Sequence, residues 1–412
     1  MIKQGQIEAQ DRSDPLARKR NEFDLPANTV YLDGNSLGCL PIAARERARE
    51  VVETQWGRDL IKSWNKHNWI ELPIQIGEKI ARLIGAAPGQ TICCDSTSVN
   101  LFKLLSIALK MHSERCIVLS VQDNFPSDLY MLEGLRHQLG HDALQIELCT
   151  EEEIESAMHE KVAVLMLTQV NFRTGRLLDM QRLTERAHAL GILVIWDLAH
   201  SAGVLPIELD ACHVDFAVGC GYKYLNGGPG APAFAYVAQR HHQHLHQPLS
   251  GWMGHASPFE FDAQYVPATN ISQLLVGTPP IISMSVLDAA LEVYHDVDIK
   301  QLRDKAYGLS ELFRTLVDQN PNLRDLQLLS PQQPQQRGAQ LAYRHPEAFA
   351  ICQALIAHGV IADFRAPDLL RLGFSPLPLR YIDIGTSVTV LTEIMLNERW
   401  RDPQYATRNK VT

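Results

Sequence analysis

From about residue 90 onward, short apolar runs alternate with amphipathic segments. Arg115–Ser120, Leu144–Leu148 and Val162–Leu167 read as strands, and Ile192–Trp196 and Phe216–Gly219 as two more. Helical stretches separate them. Ser127–Gly140 reads as a helix with Gly140 as its stop. Thr150 followed by three glutamates and Ile154 reads as a capped helix start, and Asp179 caps a helix that ends before Gly191. Residues 43–62 follow Pro41, are rich in helix formers, and predict a further helix. Strands alternating with helices imply an α/β fold, a mostly parallel central sheet covered by helices on both faces.

The first ~30 residues read as an arm. Beyond about residue 300, Gln340–Tyr343 predicts a strand, Pro346–Gly359 a helix and Leu370–Phe374 another strand. The polar run Pro331–Gln336 predicts a surface loop among them. The expected division is an arm and a segment packing with the small domain over 1–50, a large ligand-binding domain over 51–300, and a small C-terminal α+β domain over 301–412. A chain of 412 residues is long enough for about two domains at ~100–200 residues each. A net charge of −9 with no long basic run argues against nucleic acid or an anionic membrane as partner. Met1–Pro26 lacks the apolar core of a signal peptide, and no apolar stretch reaches the ~18 residues of a membrane span. The eight cysteines are scattered, many inside apolar runs, and read as reduced core residues. A cytoplasmic protein is expected.

The chemistry concentrates at two strand ends. The run ending at Trp196 is followed by Asp197 and then His200. The run from Phe216 ends at Tyr222-Lys223, before the glycine-rich turn Gly227-Gly-Pro-Gly230. Ligands of parallel sheets bind beyond the carboxyl ends of the strands, where this lysine and this aspartate fall. A lysine and an aspartate so placed are the pair that pyridoxal 5′-phosphate (PLP) needs. The amine forms a Schiff base with the cofactor aldehyde, and the carboxylate keeps the pyridine nitrogen protonated. The bland reading, two charged residues where the chain surfaces, fits less well, because lysine is rarely set between apolar and glycine runs without a partner.

A phosphate site would also be needed. Cys94-Asp-Ser-Thr-Ser98 reads as a strand end opening a helix, so Thr97 and Ser98 offer hydroxyls and N–H groups to a phosphate; plain capping by Asp95 or Ser96 explains the same residues. Asn124–Asp128 opens another helix after a strand. Phe125 there can stack on a ring and Asp128 can bind a ligand, or the pair is only a turn and a cap. Arg371, flanked by leucines, needs an anionic partner: a substrate carboxylate or a structural ion pair. The histidine-rich run Arg240–Gln247 has no interleaved carboxylate or cysteine, so it reads as a solvated helix face with no metal.

Taken together, Tyr31–Gly38, Phe125–Asp128, Trp196–His200, Tyr222–Asn226, Gly251–His255, Thr278–Ile281 and Asp363–Pro367 resemble the kynureninase family, of the aspartate-aminotransferase fold type (aminotransferase class V). The resemblance covers nearly the whole chain. It implies hydrolysis of L-kynurenine, and less readily of 3-hydroxykynurenine, to alanine and the anthranilate, in tryptophan catabolism. It implies that Lys223 is the Schiff-base lysine and proton shuttle, that Asp197 pairs with the pyridine nitrogen, and that His200 supports the cofactor. Thr97, Ser98 and Tyr222 would contact the phosphate, Phe125 would stack on the ring, and Asp128 and Thr168 would lie nearby. Tyr222 is also the candidate acid for the β-carbon. Arg371 would hold the substrate carboxylate. Asn35 and Ser36 would contact the substrate, and Ser36, Trp64 and Thr278 would line its aryl pocket. Trp252 and Thr278 would come from a partner subunit, which implies an obligate homodimer. Tryptophan and threonine at 64 and 278 resemble the bacterial type that favours L-kynurenine. The competing readings are a cysteine desulfurase, an aminotransferase of the same class, or a silent PLP-binding module. Cys352, the desulfurase candidate, lies in a helical pattern, which argues against that reading.

Overall fold

A computed structural model describes residues 4–407. After a short strand, β1 (Val30–Tyr31), the chain builds one large sheet from β2 (Thr91–Cys93), β3 (Ile117–Val121), β4 (Gln145–Cys149), β5 (Val162–Thr168), β6 (Leu193–Asp197), β7 (Phe216–Cys220) and β8 (Ala233–Val237). Their order is β2-β8-β7-β6-β5-β3-β4. Strands β3 to β7 pair in parallel, and β8 runs antiparallel to both β2 and β7. Every residue of β5 to β8 is buried, which is why these strands are continuous apolar runs.

The faces of the sheet feed two apolar layers. Val194 and Trp196 of β6 and Phe234 and Tyr236 of β8 pack into one; Leu193, Ile195, Ala235 and Val237 pack into the other. This is the two-residue alternation of a strand. Helices Leu72–Leu83, Met180–His188 and Ile281–Ala290 serve the first layer, and Thr97–Met111 and Pro126–Leu139 the second. The helix expected over 43–62 is present with a change of winding. It is an α-helix over Ile42–Glu50 and a π-helix over Val51–Asp59, ending at Leu60 with a φ of 53°. Arg47 ties it to Asp288 of the helix Ile281–Ala290 at 3.3 Å.

The C-terminal part forms a four-stranded antiparallel sheet, β12-β13-β10-β9, from β9 (Gln327–Leu328), β10 (Gln340–Arg344), β12 (Asp363–Arg365) and β13 (Leu369–Gly373). Helices Ile299–Asp318, Ala348–Ala357 and Tyr381–Leu396 share its core. The N-terminal segment belongs with this part: β1 pairs in parallel with β11 (Val360–Ile361), and Ile7 is buried in the same core. The arm is fastened by charge. Asp11 accepts hydrogen bonds from the N–H groups of Tyr381 (2.6 Å) and Ile382 (2.9 Å), capping that helix, and Asp14 pairs with Lys305 at 2.7 Å.

Candidate active site

The carboxyl ends of β5, β6 and β7 open on one cavity of about 160 Å³. Thr168 and Asp197 close β5 and β6, and Tyr222 and Lys223 follow β7 directly. The cavity is lined by Thr97, Ser98, Phe125, Asp128, Thr168, Asp197, His200, Tyr222 and Lys223, together with Ser96, Ser127 and Ala199. Nine residues singled out in the sequence therefore converge.

Lys223 is buried, and its Nζ lies 5.6 Å from the Tyr222 ring centre and 5.8 Å from that of Phe125. Its turn is fixed by close backbone packing. The Gly38 N–H donates to the Tyr222 carbonyl at 2.8 Å. A Cβ at Gly38 would strike the Lys223 carbonyl and lie 2.6 Å from Asn226 Oδ1, so only glycine fits there. The segment Tyr31–Gly38 thus braces the lysine.

Two buried carboxyl groups face the amine. Burial raises the Asp128 carboxyl well above the ordinary range, and the neighbouring Asp197 raises it further. Burial also raises Asp197, but Lys223, the Ala199 N–H at 2.7 Å and a hydrogen bond from Asp128 offset this. Burial and the facing carboxylate thus push Asp128 up, while Lys223, the Ala199 N–H and Asp128 favour the charged form of Asp197. Thr168 donates to Asn124 Oδ1, and Asn124 in turn reaches Ser120 Oγ at 3.1 Å. His200 is held neutral: burial lowers it, and the cations Lys223, Arg371 and Arg365 lower it further. Its Nδ1 is buried without a partner. Burial keeps the Tyr222 hydroxyl protonated by raising its pKa.

One end of the cavity is the start of the helix Thr97–Met111. Ser96 is its cap, accepting from the Val99 N–H at 3.3 Å. The Thr97 and Ser98 N–H groups come before any intrahelical acceptor, so both the capping and the ligand readings describe this turn.

A second polar cluster adjoins His200. Arg371 and Asp363, each 1% exposed, form an ion pair. Arg371 also donates to Ser36 Oγ (2.9 Å) and the Phe172 carbonyl (2.6 Å), while its Nε has no partner. Arg365 joins Asp363 at 2.8 Å, and its Nε is likewise unpartnered. The structural ion pair is thus real, and it leaves two guanidinium groups with a free N–H on each. Burial pushes Asp33 up to about 7, with Asp363 the next cause. Asn35 is buried beside Gly373, and neither of its side-chain polar atoms has a partner. Phe172 connects the two clusters: its ring meets Phe125 edge-on at 5.2 Å while its carbonyl holds Arg371. Asp33, Phe172 and Arg365 were missed by sequence reasoning. Asp33 and Arg365 lie inside the motifs Tyr31–Gly38 and Asp363–Pro367, which was the available signal; Phe172 lies in neither.

Of the other expected residues, Asn35, Ser36 and Arg371 lie in the second cluster and not in the cavity lining, and three join neither within one chain. Trp64 is half-buried and packs edge-on to Trp69 at 5.8 Å. Trp252 is 37% exposed and stacks on the exposed Phe261, and Thr278 is exposed. No group suited to a metal ion occurs among the described residues. The histidine run is not a solvated face throughout. His241 and Arg240 turn inward to Asp215 at 2.8 and 2.6 Å, because that buried carboxylate needs donors; His188 supplies another.

Comparison with known proteins decides the family. The chain is 44% identical to a kynureninase of Burkholderia pseudomallei over 408 residues, 98% of each protein. The chain belongs to the kynureninase family. A kynureninase of Deinococcus radiodurans is 46% identical over 395 residues, covering 95% of this chain and 96% of that one. The family model for the kynureninase C-terminal domain matches residues 302–391. Among solved structures, a C-DES mutant with glycine covalently linked to its PLP cofactor superposes with a TM-score of 0.80 at 16% identity, over 91% of this chain and 99% of that one. The Escherichia coli cysteine desulfurase CsdA gives 0.76 at 18%, over 93% and 98%. At such identities these two establish the fold, PLP fold type I.

Proposed function

We propose that this chain hydrolyses L-kynurenine to anthranilate and L-alanine, with PLP held at the Lys223 cavity. The observation that carries the reading is the meeting of Lys223, the Asp197–Asp128 pair and a neutral His200 in one cavity that ends at a helix N-terminus. The residues present fit the cofactor. The buried Nδ1 of His200 lacks a partner, Asp197 has charge to offer a ring nitrogen, and Thr97 and Ser98 present free donors to a phosphate.

When bound, PLP supplies an aldehyde for the amine and a protonated ring that accepts electron density from the substrate's α- and β-carbons. Lys223 Nζ takes the proton from Cα before the Cβ–Cγ bond breaks and is the group placed to return one to Cα as alanine forms. Asp197 would face the ring nitrogen and favour its protonated form, and the raised Asp128 beside it would limit the negative charge buried there. Phe125 supplies a face for the ring. Arg371 orients the substrate carboxylate through Nε, since its other nitrogens hold Asp363, Ser36 and Phe172. Water adds to the γ-carbonyl, the Cβ–Cγ bond breaks, and Tyr222 Oη gives its proton to Cβ. Its raised pKa keeps that proton in place until then.

The same reading makes the active unit a homodimer in the cytoplasm, with the partner subunit's Trp252 and Thr278 completing each site. The outward display of Trp252, stacked on a 75% exposed Phe261, supports it. Ser36, Trp64 and the partner subunit's Thr278 would then enclose the aryl group, and the tryptophan and threonine would favour L-kynurenine over its 3-hydroxy form, with Asn35 a further substrate contact. The division into 1–50, 51–300 and 301–412 belongs to the same reading, supported at its C-terminal end by the family match over 302–391. A desulfurase reading is disfavoured because Cys352 is buried, with its thiol bonded to the Ala362 carbonyl at 3.4 Å and raised in pKa by burial. Lys223→Ala should abolish both steady-state turnover and the Schiff-base absorbance of the PLP-loaded protein. Retained turnover would refute the assignment.

A further inference from the structure

Lys103 is the only lysine with a side chain 0% exposed among the described residues that form salt bridges, and the catalytic reading gives it no task. It lies on the helix Thr97–Met111, inside the sheet's second apolar layer. Burying an ammonium is costly unless it is paired. Its Nζ donates to the Asp95 carboxylate and to the Leu274 carbonyl at 2.6 Å.

Both acceptors occupy revealing places. Asp95 sits in the turn between β2 and the helix, immediately before Ser96, Thr97 and Ser98. Its φ of 47° is left-handed, uncommon outside glycine although aspartate adopts it more readily than most residues. Its carbonyl also accepts from the Ala233 N–H of β8 at 2.9 Å. Leu274 ends the 3-10 turn Ile271–Leu274, which leads through Val276 to Thr278. The Val276 carbonyl receives the Met253 N–H at 3.2 Å, and a Cβ at Gly251 would collide with it. One buried ammonium thus joins the anion-facing helix turn to the segment carrying Thr278 and bracing Trp252.

We propose that Lys103 is a positioning residue for the phosphate cradle. It fixes the left-handed turn at Asp95 and neutralises a carboxylate that would otherwise oppose an anion at Thr97 and Ser98. This rests on the reading that PLP's phosphate binds that turn. The inference predicts an effect specific to the phosphate, not to the aldehyde or the ring.

The test is titration of apo-protein with PLP and with pyridoxal, which lacks the phosphate, followed by Schiff-base absorbance. Wild type should bind PLP more tightly than pyridoxal; equal affinities would refute the phosphate assignment itself. Given that preference, Lys103→Met should weaken PLP by about tenfold or more (~1.4 kcal/mol per tenfold) and leave pyridoxal unchanged. Adding Asp95→Asn to that variant should restore part of the PLP affinity, because the opposing charge is gone while the tie between the turn and Leu274 stays lost. Equal losses for both ligands, no loss for either, or no recovery in the double variant would overturn the inference. Should Lys103→Met fail to fold, Asp95→Asn alone serves. It should keep or raise the preference for PLP over pyridoxal, and any lowering of that preference would overturn the inference.

Discussion

Asp363→Ala is the most informative perturbation of the Arg371 cluster. The substitution strands a buried guanidinium, because Arg371 and Asp363 are each 1% exposed. Removing one member of a buried ion pair costs ~3–5 kcal/mol, most of it from the charge left behind. Arg371 retains the Phe172 carbonyl at 2.6 Å and Ser36 Oγ at 2.9 Å, which places the expectation at the lower end, ~3 kcal/mol. Arg365 loses its partner too, but its side chain is 37% exposed and water compensates it. Against a total of ~5–15 kcal/mol, this is a large fraction. In a urea titration followed by circular dichroism, a slope near ~3 kcal/mol/M converts the loss to a midpoint lowered by about 1 M. Asp363→Asn keeps an acceptor and should fall between wild type and Asp363→Ala. An Asp363→Ala midpoint equal to wild type would refute the claim that Asp363 holds Arg371.

Further outcomes follow from the same geometry. Gly38→Ala forces a Cβ against the Lys223 carbonyl and should cost ~1–3 kcal/mol in the same titration, with loss of Schiff-base formation; a variant with normal cofactor binding would contradict the bracing role. Asp33 is raised from 3.8 to about 7 in the folded chain, so the native state binds its proton more tightly than the unfolded state does. Stability from this group is therefore full below its unfolded value and is lost as pH rises towards 7. Asp33→Asn should be more stable than wild type at about pH 8 but not at about pH 4, and urea midpoints showing the same difference at both would sink the reading. Asp197→Asn should lower kcat by ~10² or more with the Schiff base still formed, and near-normal turnover would deny the carboxylate its role.

The central strands were legible because burial on both faces writes them as unbroken apolar runs, as in Val162–Thr168 and Leu193–Asp197. Strand β8, Ala233–Val237, is equally apolar, but it is short and stands only two residues after the glycine-rich turn, and the strands read in that region stop at Phe216–Gly219. Its antiparallel direction leaves no mark in periodicity. The N-terminal helix Gln4–Ser13 was illegible because Ile7 is its one buried residue and Asp11 anchors it through distant backbone groups. Lys223, Asp197 and Thr97 could be read because each lies at the end of a recognisable element. The partnership of Ser36, Asp363 and Arg371 could not, since more than 300 residues separate Ser36 from the other two. The sequence shows that Arg371 needs an anion; only the fold shows that Asp363 already supplies one.

The direct test of the central claim is anthranilate fluorescence after PLP-loaded protein is mixed with L-kynurenine, with alanine measured in the same reaction. The account predicts both products in equal amounts and in large excess over enzyme. A Schiff-base absorbance with neither product would leave the fold and cofactor standing and contradict the proposed reaction.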